Sequence, residues 1–231
     1  MTHFVLVHGS YQGGWIWRNV AERLRAAGHT VYAPTLDGCA ERRHALRPGI
    51  DTTTHATEIS ELLFYENLRD VVLVGTSSGG MVVCRAAEQT RARVARLVLV
   101  DALALFSGER TRDIVNRSAP PPFGLAAGPS REDAARGLFA DLDPATRELV
   151  LDRYTPHPAG CSMTPVKLTD FWDTPWDATV IWCEQAENPG EAHQRRAAAR
   201  LKARWHALDT GHYPMLTMPE ELTRLIALRA V

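Results

Sequence analysis

Gly75-Thr76-Ser77-Ser78-Gly79-Gly80 is the stretch on which the reading of this chain turns. It follows the apolar run Val71-Val72-Leu73-Val74 and precedes a helix-like segment from Met81 to Gln89. A buried strand, a sharp turn carrying serine and then a helix is the context in which G-x-S-x-G acts as a nucleophile elbow. The flanking glycines let the backbone bend with no side chain in the way. Such a bend lifts one hydroxyl above the end of a sheet and points the next helix's N-terminus at it. Only Ser77 fits the register, because a motif centred on Ser78 would put Thr76 where the first glycine belongs. The alternative is a glycine- and serine-rich connection without chemistry, so the surrounding chain has to decide.

Working outward, the segments on both sides repeat a strand–helix rhythm. Phe4 to Val7 is a continuous apolar run ending at His8-Gly9-Ser10, as expected of a strand buried on both faces. Trp17 to Ala27 reads as an amphipathic helix closed by Gly28, and Thr30 to Ala33 as a strand stopped by Pro34. Leu36 to Pro48 reads as a polar surface loop with solvated arginines, and Thr54 to Glu66 as a helix. Leu97 to Val100 is a further buried strand ending in Asp101. The rhythm resumes late, with strands at Thr179–Trp182 and Trp205–Leu208 and helices at Glu191–Leu201 and Pro219–Leu228. Thr217-Met218-Pro219-Glu220 has capping-box spacing at the last helix. This alternation predicts an α/β fold with a mostly parallel, doubly wound sheet.

Between about residues 104 and 176 the rhythm breaks. Prolines crowd this part, including Pro120-Pro121-Pro122, with short helical pieces at Arg131–Leu142 and Ala145–Arg153. Phe123, Leu138, Phe139, Phe171 and Trp172 need burial, which favours a small, mainly helical lid packed over the sheet. A single domain over residues 1–231 is therefore expected, with the lid as its insertion.

Composition removes several classes of function. Lys plus Arg is 26 and Asp plus Glu 27, a net charge of −1, which argues against nucleic acid or an anionic membrane as the main partner. Cys39, Cys84, Cys161 and Cys183 are scattered without a C-x-x-C pair or Cys/His ligand spacing, and read as reduced structural thiols without a metal. The first strand begins almost at Met1, leaving no room for a signal peptide, and no apolar run is long enough to span a bilayer. A cytoplasmic location is the expectation, with a small molecule as partner and a homodimer left open.

A serine hydroxyl needs an adjacent base to act as a nucleophile near neutral pH. Behind a serine elbow the partners follow in the order Ser, acid, His, each carried by a loop at the carboxyl end of a strand. His212 in Asp209-Thr210-Gly211-His212 has that place, just past the last strand. His193 and His206 fall within a helix and a strand, His157 lies among prolines where it could line a pocket, and His8 reads as structural. The N–H groups of Ser78 and Ser10 are the candidate oxyanion donors. For the acid, Glu184 at the end of the strand Thr179–Trp182 is the first choice. Asp101 is its main rival as a spatial neighbour in a parallel sheet, and Glu187 comes third.

The segments VLVHGSYQGGW (Val5–Trp15), LRDVVLVGTSSGG (ending at Gly80) and LDTGHYPMLTMPEE (Leu208–Glu221) resemble the α/β-hydrolase esterases grouped with plant hydroxynitrile lyases, methyl-salicylate-type esterases and bacterial EstC-like carboxylesterases. The resemblance covers both ends of the chain and implies the α/β-hydrolase fold and cofactor-free chemistry. Two departures stand out: those relatives usually carry histidine where Thr76 stands, and often aspartate near Ala186. The cyanogenic members use a lysine after the catalytic histidine and a threonine in the first loop, where this chain has Tyr213 and Gly9. The expectation is a serine carboxylesterase for a small, largely apolar ester, acting through Ser77, His212 and Glu184 by way of an acyl-enzyme. A lyase, a lactone-opening or cyclising enzyme, and a non-catalytic ligand-binding receptor are the alternatives.

Overall fold

The computed structural model describes residues 1–115 and 124–228. In chain order, β1 (His3–Val7) leads through a 3-10 turn into α1 (Arg18–Ala26) and β2 (Thr30–Tyr32). Next come α2 (Thr52–Tyr65), β3 (Val71–Ser77), α3 (Gly79–Gln89) and β4 (Val94–Ala102). The insertion contributes α4 (Thr111–Ile114), β5 (Ala126–Ala127), α5 (Arg131–Arg136), α6 (Pro144–Asp152), β6 (His157–Pro158) and α7 (Gly160–Met163). The chain closes with β7 (Ala178–Cys183), α8 (Glu191–Leu201), β8 (Arg204–Leu208), α9 (Pro214–Thr217) and α10 (Pro219–Ala227).

Six strands form one parallel sheet in the order β2-β1-β3-β4-β7-β8. Period-two alternation explains why its strands read as unbroken apolar runs. Val5, Val7, Val71 and Leu73 enter one core with α2, α3 and α8, while Phe4, Leu6, Val72 and Val74 enter the other with α1 and α10. Both faces are covered, so no polar alternation appears. The chain leaves β1 toward β2 and then returns across it to β3. That reversal makes the β1/β3 boundary a topological switch point, where the carboxyl ends of strands open a crevice.

The insertion is held by the same two cores. Phe139, Leu142 and Val150 pack with the α1/α10 side, and Val166, Leu168 and Phe171 with the α2/α3 side. Phe139 and Phe171 are fully buried, while Leu138 and Trp172 pack against the cores partly buried. α5 stops at Arg136, well short of the expected Leu142, while α6 keeps its expected length one residue earlier, and β5 pairs with β6 in an antiparallel ribbon that periodicity does not reveal. Pro120-Pro121-Pro122 and Phe123 lie outside the described residues.

Two local expectations are corrected. Thr217 does not cap α10: its hydroxyl donates to the Tyr213 carbonyl and meets the Thr210 hydroxyl, and the N-cap is Met218. The arginines after β2 are paired as well as solvated, since Arg42 and Arg47 both reach Asp37 and Arg42 also reaches Glu58. Among the described residues, no helix is long and apolar enough to cross a membrane.

Candidate active site

Ser77 ends β3 at the switch point with φ of +50°, and Ser78 begins the turn into α3. A left-handed conformation costs a non-glycine residue on the order of 1–3 kcal/mol, so the surrounding packing must enforce it. The glycines of the motif have steric reasons. A Cβ on Gly75 would come 2.7 Å from the Gly79 carbonyl oxygen, and one on Gly79 would come 2.6 Å from the carbonyls of Val7 and His8. The start of α3 is thereby pressed onto the end of β1. From that strand end Gly9 faces the serine, where an added Cβ would lie 2.7 Å from Ser77 Cβ and 3.3 Å from its Oγ. Ser10 Oγ and Ser78 Oγ are 2.9 Å apart, which joins the two residues read as oxyanion donors.

His8 sits beneath this loop in a structural role. Its Nδ1 donates to the Gly9 carbonyl at 2.8 Å and its Nε2 accepts from the Leu36 N–H at 3.1 Å. Full burial lowers it to about 4 and keeps it neutral, which is the form this pair of bonds requires.

His212 lies in the loop between β8 and α9. That loop is fixed by the Gln185 N–H donating to the Thr210 carbonyl and by the contact between the Thr210 and Thr217 hydroxyls. A Cβ at Gly211 would meet the carboxylate of Asp141 from the insertion, an exposed side chain that would have to turn aside. His212 Nδ1 donates to Asp101 Oδ2 at 2.5 Å, so the imidazole carries its proton on Nδ1 and leaves the Nε2 lone pair free.

Asp101 is the carboxylate that faces His212, and the expectation of Glu184 is corrected on this point. Glu184 follows β7 with its backbone N–H bonded to the Leu208 carbonyl and its side chain exposed. Glu187 is exposed in the same loop. The cause is a break in the β3–β4 register: Thr76 pairs with Val100 but Ser77 pairs with Ala102, leaving Asp101 as the extra residue at φ +42°. A bulge of this kind re-aims a side chain. Here it turns a fully buried carboxylate toward the histidine loop, with the Cys183 N–H on its other oxygen at 3.5 Å. Burial pushes the Asp101 carboxyl above the usual aspartate range, while the His212 hydrogen bond and charge pull it back.

Aromatic rings connect this loop to the insertion. His212 meets Tyr213 edge-on, Tyr213 lies 5.3 Å from Phe139, and Phe139 lies 6.3 Å from Tyr154, which stacks on Tyr11. An open groove of about 930 Å³ beside α2 is lined by Arg42, Glu58, Glu61, Arg85 and Lys167, but it includes none of Ser10, Ser77, Asp101 or His212.

Comparison with known proteins agrees with this architecture. A methylesterase from Arabidopsis superposes with a TM-score of 0.80 over 98% of this chain and 97% of its own, at 20% identity. An extracellular alpha/beta-hydrolase from a Paenibacillus species gives 0.79 over 98% of both chains at 21% identity, a likeness of fold. In sequence, a carbendazim hydrolyzing esterase of Nocardioides sp. (strain SG-4G) is 37% identical over 121 residues, 52% of this chain and 50% of that protein. Salicylic acid-binding protein 2 of Nicotiana tabacum is 42% identical over 90 residues, 38% of this chain and 34% of its own length. An alpha-hydroxynitrile lyase of Arabidopsis thaliana is 30% identical over 53% of this chain and 48% of its own length. The chain spans about half the length of the first such relatives. The model of the alpha/beta hydrolase family matches residues 4–225, nearly the whole chain. With the parallel sheet, the serine elbow at its switch point and this match together, the chain belongs to the alpha/beta hydrolase family.

Proposed function

We propose that the protein is a cofactor-independent serine carboxylesterase in which Ser77 is the nucleophile, His212 the general base and Asp101 the acid. The observation that carries the reading is the 2.5 Å bond from His212 Nδ1 to a buried aspartate, because it frees Nε2 to take a proton. Ser77 attacks the ester carbonyl as His212 accepts its proton, and the N–H groups of Ser10 and Ser78 hold the oxyanion. His212 then protonates the departing alkoxide and activates water for deacylation, while Asp101 stabilises the imidazolium without taking the proton. Each oxyanion donor contributes about two to three orders of magnitude in turnover. The partly exposed rings of Tyr11 and Tyr154, stacked beside the first loop, are what favours a small, largely apolar ester as substrate.

Cyanohydrin cleavage fits less well. The threonine that the cyanogenic relatives carry at the Gly9 position has no room here, since even a Cβ would come 2.7 Å from that of Ser77.

A fluorophosphonate probe tests the covalent step. Labelling is expected in the native protein and in Ser78→Ala, which keeps its N–H, and is expected to vanish in Ser77→Ala. Folded protein that turns over p-nitrophenyl acetate without labelling would overturn the mechanism.

A further inference from the structure

Outside the serine site, four side chains with metal-binding chemistry meet where the insertion rests on the body. His55 on α2, His157 in β6 and Cys161 on α7 each offer one donor atom, and the three atoms lie within 4.8 Å of one another. Cys39, in the loop after β2, brings a second thiol. Its Sγ is 3.5 Å from His157 Nδ1, as Cys161 Sγ is 3.5 Å from His55 Nδ1, but it lies outside the 4.8 Å group and must turn in to join it. All four residues are buried.

The spacing of the three grouped donors suits a small cation. With metal–sulfur bonds of about 2.3 Å and metal–nitrogen bonds of about 2.0–2.1 Å, a tetrahedral ion separates neighbouring S and N donors by roughly 3.5 Å. His55 is also held as a ligand would be: its Nε2 donates to the Asp37 carbonyl at 2.9 Å, which leaves the Nδ1 lone pair directed at Cys161. A ligand imidazole is ordinarily oriented by such an outer partner. A thiol is a weak hydrogen-bond donor, so packing alone satisfies these imidazole nitrogens poorly.

We propose that His55, His157, Cys161 and Cys39 form a structural site for one Zn²⁺ ion. Two thiolates and two neutral imidazoles make the donor set that zinc prefers, and with a dication their charges cancel, as a buried site needs. Each thiol gives up its proton to solvent on coordination, so binding releases two protons. With Cys39 turned in, the tetrahedral set is closed and has no open position, so the role is mechanical: the ion ties the foot of the insertion to the body. It bridges residues 106 and 118 positions apart in sequence, closing long loops. This replaces the expectation of scattered thiols without a metal, which linear spacing suggested because Cys39 and His55 come from segments far from His157 and Cys161.

The test strips the reduced, full-length protein with 1,10-phenanthroline and titrates it with Zn²⁺ and, in parallel, Co²⁺. The expected result is one ion per chain by elemental mass spectrometry, a thiolate-to-cobalt charge-transfer band, and a higher unfolding temperature with Zn²⁺. Cys161→Ser and His55→Asn should weaken binding by more than about 100-fold, beyond the loss that an outer partner causes. Cys84→Ala, which removes a buried thiol on α3, should not weaken it. Should Cys161→Ser fail to fold, the Co²⁺ spectrum of the unmutated protein decides. No charge-transfer band, sub-stoichiometric Zn²⁺ binding, or binding that survives both ligand substitutions would overturn the proposal.

Discussion

Asp101 departs from strand geometry twice, with a left-handed φ and an unpaired place in the ladder, and both departures aim it at His212. Asp101→Asn keeps the shape but lets the amide donate to Nδ1, favouring the imidazole tautomer with its proton on Nε2. Turnover of p-nitrophenyl acetate should fall by about 10⁴-fold, by analogy with the same exchange in a serine protease triad. Glu184→Gln should leave turnover unchanged, its side chain being exposed. A large loss in Glu184→Gln with none in Asp101→Asn would reverse the assignment. At this scale the sequence was half legible. Gly75, Ser77, Gly79 and His212 follow from motif and chain order, whereas the choice between Asp101 and Glu184 depends on a bulge that no residue pattern records.

The elements themselves were readable where burial imposes a period. Glu191–Leu201 matches its expected bounds, and β3 and β4 differ only by being longer at their ends, where Gly75, Arg96 and Asp101 interrupt the apolar run. The start of α2 was placed two residues late, because Thr52-Thr53-Thr54 are poor helix formers. Their turn is secured by Asp51, whose carboxylate accepts from the Thr54 N–H at 2.9 Å while the Thr54 hydroxyl donates back to the cap. Asp51→Ala should therefore lower stability by about 1 kcal/mol, seen as a lower urea midpoint at unchanged slope. No change in the midpoint would mean that tertiary packing alone holds the first turn. The insertion was the least legible part, because its short helices and two-residue strands take their form from the two cores beneath them.

For the molecule as a whole, buried histidines couple folding to pH. Burial lowers His8 and His193 to about 4, from an ordinary value of 6.5. Between those values the unfolded chain binds protons that the folded chain does not. The stability is fully present above about pH 6.5 and is lost as pH falls toward 4, on the order of 3 kcal/mol for each such histidine. Urea midpoints measured from pH 7 to 4 should fall, and His193→Gln should flatten the slope, since an amide oxygen can still accept from the Ala104 N–H. A slope identical in the variant would remove His193 from this account. The bulge in β4 has a consequence at this scale too. In the proposed triad the partner of His212 comes from a central strand, and the exposed side chains after β7 are relieved of chemical duty. Selection on turnover then bears only weakly on residues 186–187, past the Gln185 N–H that fixes the His212 loop, so that stretch is where a descendant could gain an insertion or a new recognition surface without losing its reaction.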